Sequence, residues 1–351
     1  MSSFSEIWSF ITDKIVTSQR EQPSAVTIPL DNIDRKEQMV QPFEAGKDYF
    51  QVRINQLFLM EERKWFTQID PMVSVISEFQ YNKKHSIVPS IVGPSKQSCQ
   101  QLPHGMIFSN EKVAGLHPYR GDAVKLSVVL CQVPVGSPAK ALLSVIQQAS
   151  KSFDFATALS TYLAIGNVVL DGIEKLLGLG GTLPLIGLQT TFDPQAGDPF
   201  RPSYFALIDK QGVDPNELRV KNNALMKDGK EYREADFVLY SIVRSPDRRR
   251  DDVEQLPFYD TWERAVTEAM SLKEGSWETA KANLLALLSA IRLSPDLTWD
   301  HADELINEYP PLLKSMYEAQ KKASTLGGVK EAVVEEGMDS VRSMASSILS
   351  L

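Results

Sequence analysis

Five apolar residues near the start of the chain recur at helical spacing and leave polar residues on the opposite face. They are Phe4, Ile7, Trp8, Ile11 and Ile15. This pattern predicts an amphipathic N-terminal helix within residues 1–18. The following stretch, residues 19–48, contains three prolines and shows no sustained period, so we expect a connector there.

From about residue 45 the hydrophobic period changes to two. Phe50, Val52 and Ile54 alternate with polar residues, and the alternation is typical of a strand. Similar runs, rich in β-branched and aromatic residues, recur in six further intervals. These intervals are 72–81, 124–130, 183–192, 204–209, 218–226 and 237–243. Several strands follow one another with only loops between them, which favours an antiparallel sheet.

The segment Lys227-Asp228-Gly229-Lys230 is the clearest turn signal in the chain. Asp-Gly readily adopts the positive φ angles of a type I′ turn. We therefore expect an antiparallel hairpin that joins strands near 218–226 and 231–243.

Residues 136–179 interrupt the strands with a helical pattern. Ser137-Pro138 resembles an N-cap followed by proline at the first helical position, and two apolar stripes follow. Gly178, Gly180 and Gly181 come after the second stripe. A phosphate-binding loop needs a strand before such glycines and a helix after them. The order here is reversed, so these glycines predict the end of a helix.

The rest of the chain is helical in pattern. Residues 257–325 contain at least three amphipathic stripes, separated by Gly275 and Pro295, and they predict a small helical bundle. The tail, residues 326–351, begins with a glycine pair and carries a weaker stripe that Gly337 interrupts. The stripe consists of Val334, Met338, Val341, Ala345 and Ile348.

Together these patterns predict an α+β protein. Its centre is an antiparallel β-sandwich over residues 45–245, with a C2-like or immunoglobulin-like strand rhythm and a two-helix insertion at 136–179. A doubly wound sheet is less favoured, because its strands and helices alternate throughout. The likeness is one of strand rhythm alone and implies no function.

Composition narrows the functional classes. The chain has 351 residues, 43% of them hydrophobic, with 37 Lys+Arg against 45 Asp+Glu and a formal charge of −8. These values are typical of a soluble globular protein, and the acidic balance disfavours nucleic-acid binding. The N-terminus lacks the pattern of a signal peptide, and the apolar window 155–170 is shorter than a membrane span. With only two cysteines, we expect a cytoplasmic protein.

The residues that carry chemistry form no recognisable motif. Cys99 and Cys131 have no paired spacing with each other or with the four histidines, so the sequence predicts neither a zinc site nor any other cofactor. A hydrolase that uses a cysteine with His104 or His117 is a remote alternative. We predict no catalytic residue.

Four aspartates in the later strand region raise the question of calcium. They are Asp193, Asp198, Asp209 and Asp214. Calcium would need six to eight oxygen ligands from neighbouring loops. Aspartate is also common in turns, because its carboxylate accepts hydrogen bonds from the local backbone, and we favour this second interpretation.

Because the sequence shows no catalytic motif and no cofactor site, it predicts a non-enzymatic interaction or adaptor protein that assembles with itself or with a protein partner. The N-terminal stripe and an arginine run are the candidate partner-binding elements. Their residues are Phe4, Ile7, Trp8, Ile11, Ile15, Arg248, Arg249 and Arg250. A membrane-active effector is the alternative. It is less favoured because the polar face of the N-terminal helix carries few basic residues.

Overall fold

The computed structural model describes residues 8–9, 11–13, 23–60, 63–64, 67–93, 106–151, 158–178, 182–197 and 200–326. The chain divides into two compact units. The first, which we call the sheet unit, comprises residues 1–257 and 294–301. The second, the helical unit, comprises residues 258–293 and 302–351.

The strands of the sheet unit pair in antiparallel ladders. Their bounds are β1 Ser24–Thr27, β2 Tyr49–Phe58, β3 Arg63–Lys64, β4 Thr67–Tyr81, β5 Lys84–Val92, β6 Met106–Pro118, β7 Val124–Pro134, β8 Leu183–Phe192, β9 Ser203–Ile208, β10 Leu218–Lys221, β11 Ala224–Lys227, β12 Lys230–Glu231 and β13 Phe237–Ser245. One large sheet has the order β1-β9-β13-β2-β6. The other has the order β3-β4-β7-β8, with β5 also paired to β4, and β10-β11-β12 form a small third sheet.

The main hydrophobic core contains side chains from both large sheets. Val52 and Ile54 of β2 lie in the same buried cluster as Val75 of β4 and Val128 of β7. These residues come from the runs with a period of two. Alternation places every second side chain on one face of a strand, and strands of both sheets contribute such side chains to this cluster. The mixed architecture of antiparallel sheets and helices is therefore confirmed.

Two helices lie between β7 and β8, and these two strands pair directly with each other. They are α1 (Pro138–Lys151) and α2 (Leu159–Gly178). The hydroxyl of Ser137 accepts a hydrogen bond from the Lys140 N–H at 3.3 Å, which confirms the predicted N-cap. The end of α2 at Gly178 agrees with the predicted helix terminus.

The predicted Asp-Gly turn is present, but the strands beside it differ from the prediction. Asp228 and Gly229 have φ angles of 51° and 76°, and Lys227 pairs with Lys230. The preceding run is itself a hairpin, because Asn222 and Asn223 also adopt positive φ and reverse the chain between β10 and β11. After the turn, β12 ends at Glu231, and β13 belongs to the large sheet. The turn at Asn222 and Asn223 thus divides the first predicted strand, and the second is divided between β12 and β13.

The later helices are α3 (Arg250–Val253), α4 (Tyr259–Ser271), α5 (Ser276–Leu293) and α6 (Trp299–Leu326), of which α4, α5 and most of α6 form the helical unit. Two stacked aromatic pairs hold α6 against its neighbours. Trp262 stacks on Tyr309 at 4.5 Å, and Trp277 stacks on Tyr317 at 4.2 Å between ring centroids. Trp262 and Trp277 come from the stripes that predicted a bundle, whereas Tyr309 and Tyr317 were not among the residues of those stripes.

Two boundaries differ from the sequence prediction. The interval 19–48 is more than a connector, because β1 within it pairs with β9 at the edge of a large sheet. Residues 294–301, which the sequence placed in the bundle, belong to the sheet unit. Three polar side chains of this segment are buried in that unit: Asp296, Thr298 and His301.

Candidate functional site

The N-terminal stripe packs against the sheet unit at its described positions. Ile11 is 1% exposed and lies in an apolar cluster with Met72, Val129 and Leu143, and Trp8 packs against the same cluster. Ile11 therefore offers no surface to another molecule. Three further predicted partner-binding residues lie outside the described part of the chain: Phe4, Ile7 and Ile15.

The arginine run divides into one buried and two exposed side chains. Arg248 is 5% exposed, and it donates hydrogen bonds to the backbone carbonyls of Asp296 (3.0 Å) and Leu116 (2.7 Å). Arg249 pairs with Asp252 at 3.2 Å, and Arg250 pairs with Glu254 at 3.7 Å. Arg248 is thus an internal residue, because its guanidinium donates hydrogen bonds to two backbone carbonyls of its own unit.

Arg248 leads to a buried polar cluster around residues 294–301. Asp296 is its centre, with 2% exposure. The carboxylate accepts hydrogen bonds from the hydroxyl of Tyr81 (3.0 Å) and from the backbone N–H of Leu159 (2.8 Å), the first residue of α2. Burial raises the pKa of Asp296, and these hydrogen bonds and Arg248 oppose that shift. Asp296 therefore ties the segment to both a strand and a helix.

Tyr49 holds the other end of the segment. Its hydroxyl accepts a hydrogen bond from the Thr298 N–H at 3.0 Å and shares one of 2.9 Å with His301 Nδ1. The tautomer of the His301 imidazole determines which of these two groups is the donor. Burial lowers the pKa of His301 and raises that of Tyr49, which keeps both groups uncharged.

Arg120 and Gly46 complete the contacts with the segment. Arg120 donates to the carbonyl of Leu297 at 2.6 Å and lies over the ring of Trp299, 5.1 Å from its centroid. The Trp299 N–H donates to the carbonyl of Gly46 at 2.7 Å. A side chain on Gly46 would meet the Trp299 ring, and its φ of +80° also favours glycine. These contacts anchor the chain where α5 gives way to α6.

His117 lies beside this cluster between two phenylalanine rings. Its ring centroid is 5.6 Å from that of Phe50 and 4.7 Å from that of Phe79. Burial, with a contribution from Arg248, lowers the pKa of His117 to about 3. Its Nε2 has no hydrogen-bond partner among the described residues. His117 is therefore a neutral core residue near neutral pH.

Nucleophilic chemistry finds little support in the described residues. Cys131 of β7 is fully buried in the cluster that contains Ile11, and burial raises the pKa of its thiol. A thiolate nucleophile needs the opposite shift. Cys99 and His104 lie outside the described residues.

The aspartates that raised the question of calcium act in turns where their contacts are described. Asp193 accepts the N–H of Gln195, and Asp214 accepts the N–H of Asn216. Asp198 lies outside the described residues. Across the described ranges, the acidic, histidine and cysteine side chains form no group suited to a metal ion. No described helix combines the length and apolarity needed to cross a membrane.

The most unusual surface of the described structure is one side of α5. Leu287, Ile291 and Ala280 are buried on its inner side, yet Leu285 is 67% exposed and Leu293 is 80% exposed. We define the α5 face as the exposed small and apolar residues on the outer side. They are Ala282, Leu285, Ala286, Ser289 and Leu293. Surface helices normally carry polar residues there, and a helix that is apolar all round is usually covered on both sides.

Sequence reasoning missed both the polar cluster and the α5 face. The cluster joins residues from β2, β4, β6 and the 294–301 segment, and no local pattern links them. The sequence did contain a signal for the α5 face, because the apolar residues Ala282, Leu285 and Leu293 fall outside the stripe that predicted the helix. No protein-family model matches this chain, and no curated protein or solved structure matches it either.

Proposed function

We propose that this protein is a non-enzymatic interaction protein that assembles with a second copy of itself through the α5 face. The observation that carries the proposal is the exposure of Leu285 and Leu293 on a helix that is also apolar on its buried side. Such a face is costly in water and is stabilised when another apolar surface covers it.

A second copy suits this face for two reasons. A two-fold axis places the same face against itself with the helices antiparallel, and their dipoles then oppose each other. The small side chains of Ala282, Ala286 and Ser289 permit close approach.

The size of the face indicates a weak and reversible dimer. An 18-residue helix is about 27 Å long, and one face of it buries only roughly 300 Å² per copy. Stable dimers bury about 800 Å² per partner. We therefore expect association that depends on protein concentration.

The experiment is sedimentation velocity on the full chain over a wide range of concentration. We expect the average mass to rise from that of one chain towards that of two. Leu285→Asp should weaken association by at least about 100-fold, because each copy loses a leucine contact worth about 1.5 kcal/mol or more. Val145→Asp is the matched control, since Val145 is 63% exposed on α1.

Two results would contradict the proposal. One is a chain that stays monomeric throughout. The other is self-association that Leu285→Asp leaves unchanged. Flotation with anionic lipid vesicles tests the alternative of a membrane-active effector. If the chain never dimerises and Leu285→Asp abolishes vesicle binding, the α5 face binds a membrane surface.

We also propose that the two large sheets form a C2-like or immunoglobulin-like sandwich. The two large antiparallel sheets and the cluster to which both contribute support it. Within the sheet unit, the polar cluster around Asp296 holds the segment between α5 and α6.

A further inference from the structure

Four polar side chains form a row across one of the large sheets. Lys112 of β6 lies directly opposite Arg53 of β2. Arg53 lies opposite Ser241 of β13, which in turn lies opposite Tyr204 of β9. Residues that oppose each other on neighbouring strands share one face of the sheet, with their Cβ atoms about 5 Å apart. We call these four residues the polar row.

The polar row lies on the side of the sheet that faces away from the main hydrophobic core. Val52 and Ile54, which flank Arg53 along β2, both belong to that core. So do the two residues that flank Ser241 along β13. Because side chains alternate along a strand, Arg53 and Ser241 point to the opposite side.

Gln51 fixes the orientation of the Arg53 side chain. Arg53 Nε donates a hydrogen bond to Gln51 Oε1 at 2.7 Å, and Gln51 Nε2 donates to the carbonyl of Gly115 at 3.3 Å. Among the described residues, Arg53 makes no other hydrogen bond and no ion pair. The two terminal amino groups of Arg53 are therefore available to a ligand, and their planar arrangement suits the oxygens of a phosphate group.

Two basic residues stand side by side in the polar row. Lys112 lies opposite Arg53, and like charges in this arrangement repel each other. Lys112 forms no ion pair within the part of the chain that the structure describes. Glu111, the next residue along β6, lies opposite Ile54 and therefore on the other face. Burial lowers the pKa of Arg53, and an anion beside Arg53 and Lys112 would offset both the burial and the repulsion.

Further charges lie near Tyr204, at the end of the polar row. Burial and the carboxylate of Asp34 raise the pKa of Tyr204, whereas Arg35 and Arg53 oppose that shift. The Asp34 carboxylate also accepts a hydrogen bond from the Asn222 N–H at 2.8 Å. Arg35 thus adds a third positive charge near the row, and Asp34 supplies a negative one.

Ser241 contributes a buried hydroxyl. Its side chain is 0% exposed, and its Oγ has no hydrogen-bond partner among the described residues. A buried hydroxyl without a partner is costly, so a ligand that bonds to it is favoured. Ser241 lies next to Arg53 in the row, which places this hydroxyl beside the guanidinium that would hold an anion.

We propose that the polar row is a binding site for a phosphate group. Arg53 and Lys112 hold its charge, and the Ser241 hydroxyl donates to one of its oxygens. A tetrahedral dianion suits donors that approach from several strands better than a planar carboxylate does, and Arg53 is only half-buried, so an ion can reach it from solvent. The ligand is free phosphate or the terminal group of a small phosphate ester.

The first test is isothermal titration calorimetry of the full chain with inorganic phosphate, at an ionic strength held constant with chloride. We expect saturable binding to one site per chain. Arg53→Gln should weaken the binding at least about 10-fold, because it removes charge-assisted hydrogen bonds. Arg264→Gln is the matched control. It removes the same charge from an exposed position on α4 and should leave the binding unchanged.

Lys112→Gln is an independent variant that does not disturb the half-buried guanidinium. Lys112 lies on β6, the last strand at one edge of the sheet, where a substitution is well tolerated. We expect this variant to bind phosphate about 5-fold more weakly. Lys321→Gln, at an exposed position on α6, is its control. Circular dichroism establishes that each variant is folded.

Ser241→Ala separates contact with a ligand from a role in packing. We expect it to weaken phosphate binding about 5-fold and to leave stability without phosphate unchanged or higher, because the variant loses a buried hydroxyl that had no partner. Lower stability without phosphate, together with unchanged phosphate binding, would remove Ser241 from the site.

Phenyl phosphate distinguishes the two sources of the phosphate group. Tighter binding of phenyl phosphate than of inorganic phosphate supports a site for a phosphate ester, and the reverse order supports a site for the free ion. Two results overturn the proposal. One is that the native chain binds neither probe saturably, and the other is that Arg53→Gln and Lys112→Gln leave the binding unchanged. Both can be read whether or not the chain dimerises, so they are distinct from failure of the proposed self-assembly.

Discussion

Arg248 donates a 3.0 Å hydrogen bond from Nε to the backbone carbonyl of Asp296, and both residues are buried. The chain between them leaves the sheet unit after Pro257, forms α4 and α5, and returns to the sheet unit at Ser294. This hydrogen bond therefore joins the two parts of the sheet unit on either side of α4 and α5. A guanidinium suits the position because its planar donors reach two carbonyls at once.

Arg248→Met should lower the free energy of unfolding by about 2 to 4 kcal/mol. The substitution leaves the buried carbonyls of Asp296 and Leu116 without their donor, and buried polar groups without partners are costly. Urea unfolding measures the change. Arg249→Met is the control, because the Arg249 side chain is 70% exposed, and it should shift stability by no more than about 0.5 kcal/mol. A loss below about 1 kcal/mol for Arg248→Met would show that the contact contributes little.

Stability should fall as the pH drops below 6.5, and His117 should account for much of the loss. The pKa of His117 is about 3 in the folded protein and 6.5 in the unfolded chain. The unfolded state therefore binds a proton first, and the stabilisation present above pH 6.5 is lost progressively towards pH 3. The slope is about 1.4 kcal/mol per pH unit within this window.

The measurement is urea unfolding at a series of pH values for the native chain and for His117→Gln. The difference between them isolates His117 from His301, whose lowered pKa acts in the same direction, and from Asp296, whose raised pKa acts in the opposite one. Parallel curves for the native chain and His117→Gln would contradict the assignment.

The N-terminal stripe should stabilise the sheet unit. Ile11→Ala is expected to lower the free energy of unfolding by about 2 to 4 kcal/mol, because Ile11 is 1% exposed in a packed cluster. Thermal and urea unfolding measure this change, and light scattering follows the mass. Ser9→Ala, at an exposed position on the same segment, is the control. If Ile11→Ala altered the mass and left stability intact, the stripe would be a docking element, as the sequence first suggested.

Cys131 should stay unreactive for as long as the chain is folded. Its thiol is buried, and burial raises its pKa, so little thiolate is present and reagents have no access. In a Cys99→Ser variant, a chromogenic disulfide reagent should react with one thiol per chain in denaturant and with almost none in buffer. Fast reaction of the folded chain would reopen the possibility of cysteine chemistry.

The sequence by itself determined those elements that depend only on residues close together along the chain. The period of two places β7, the spacing of Trp277, Leu284 and Leu287 places α5, and the Ser137-Pro138 and Asp228-Gly229 pairs place a helix start and a turn. Periodicity and turn chemistry act over a few residues, so they can be read without a fold.

Tertiary structure decided which residues meet. Arg248, which the sequence offered for partner binding, is internal because the backbone carbonyls of Asp296 and Leu116 accept its hydrogen bonds. Ile11 is a core residue because β4, β7 and α1 supply its neighbours. The exposure of Leu285 also depends on tertiary structure. Apolar residues occur on more than one side of α5, and only the packing of the neighbouring helices determines which side is buried. Burial and hydrogen bonding join residues that are far apart in the chain, whereas periodicity reports only the local backbone.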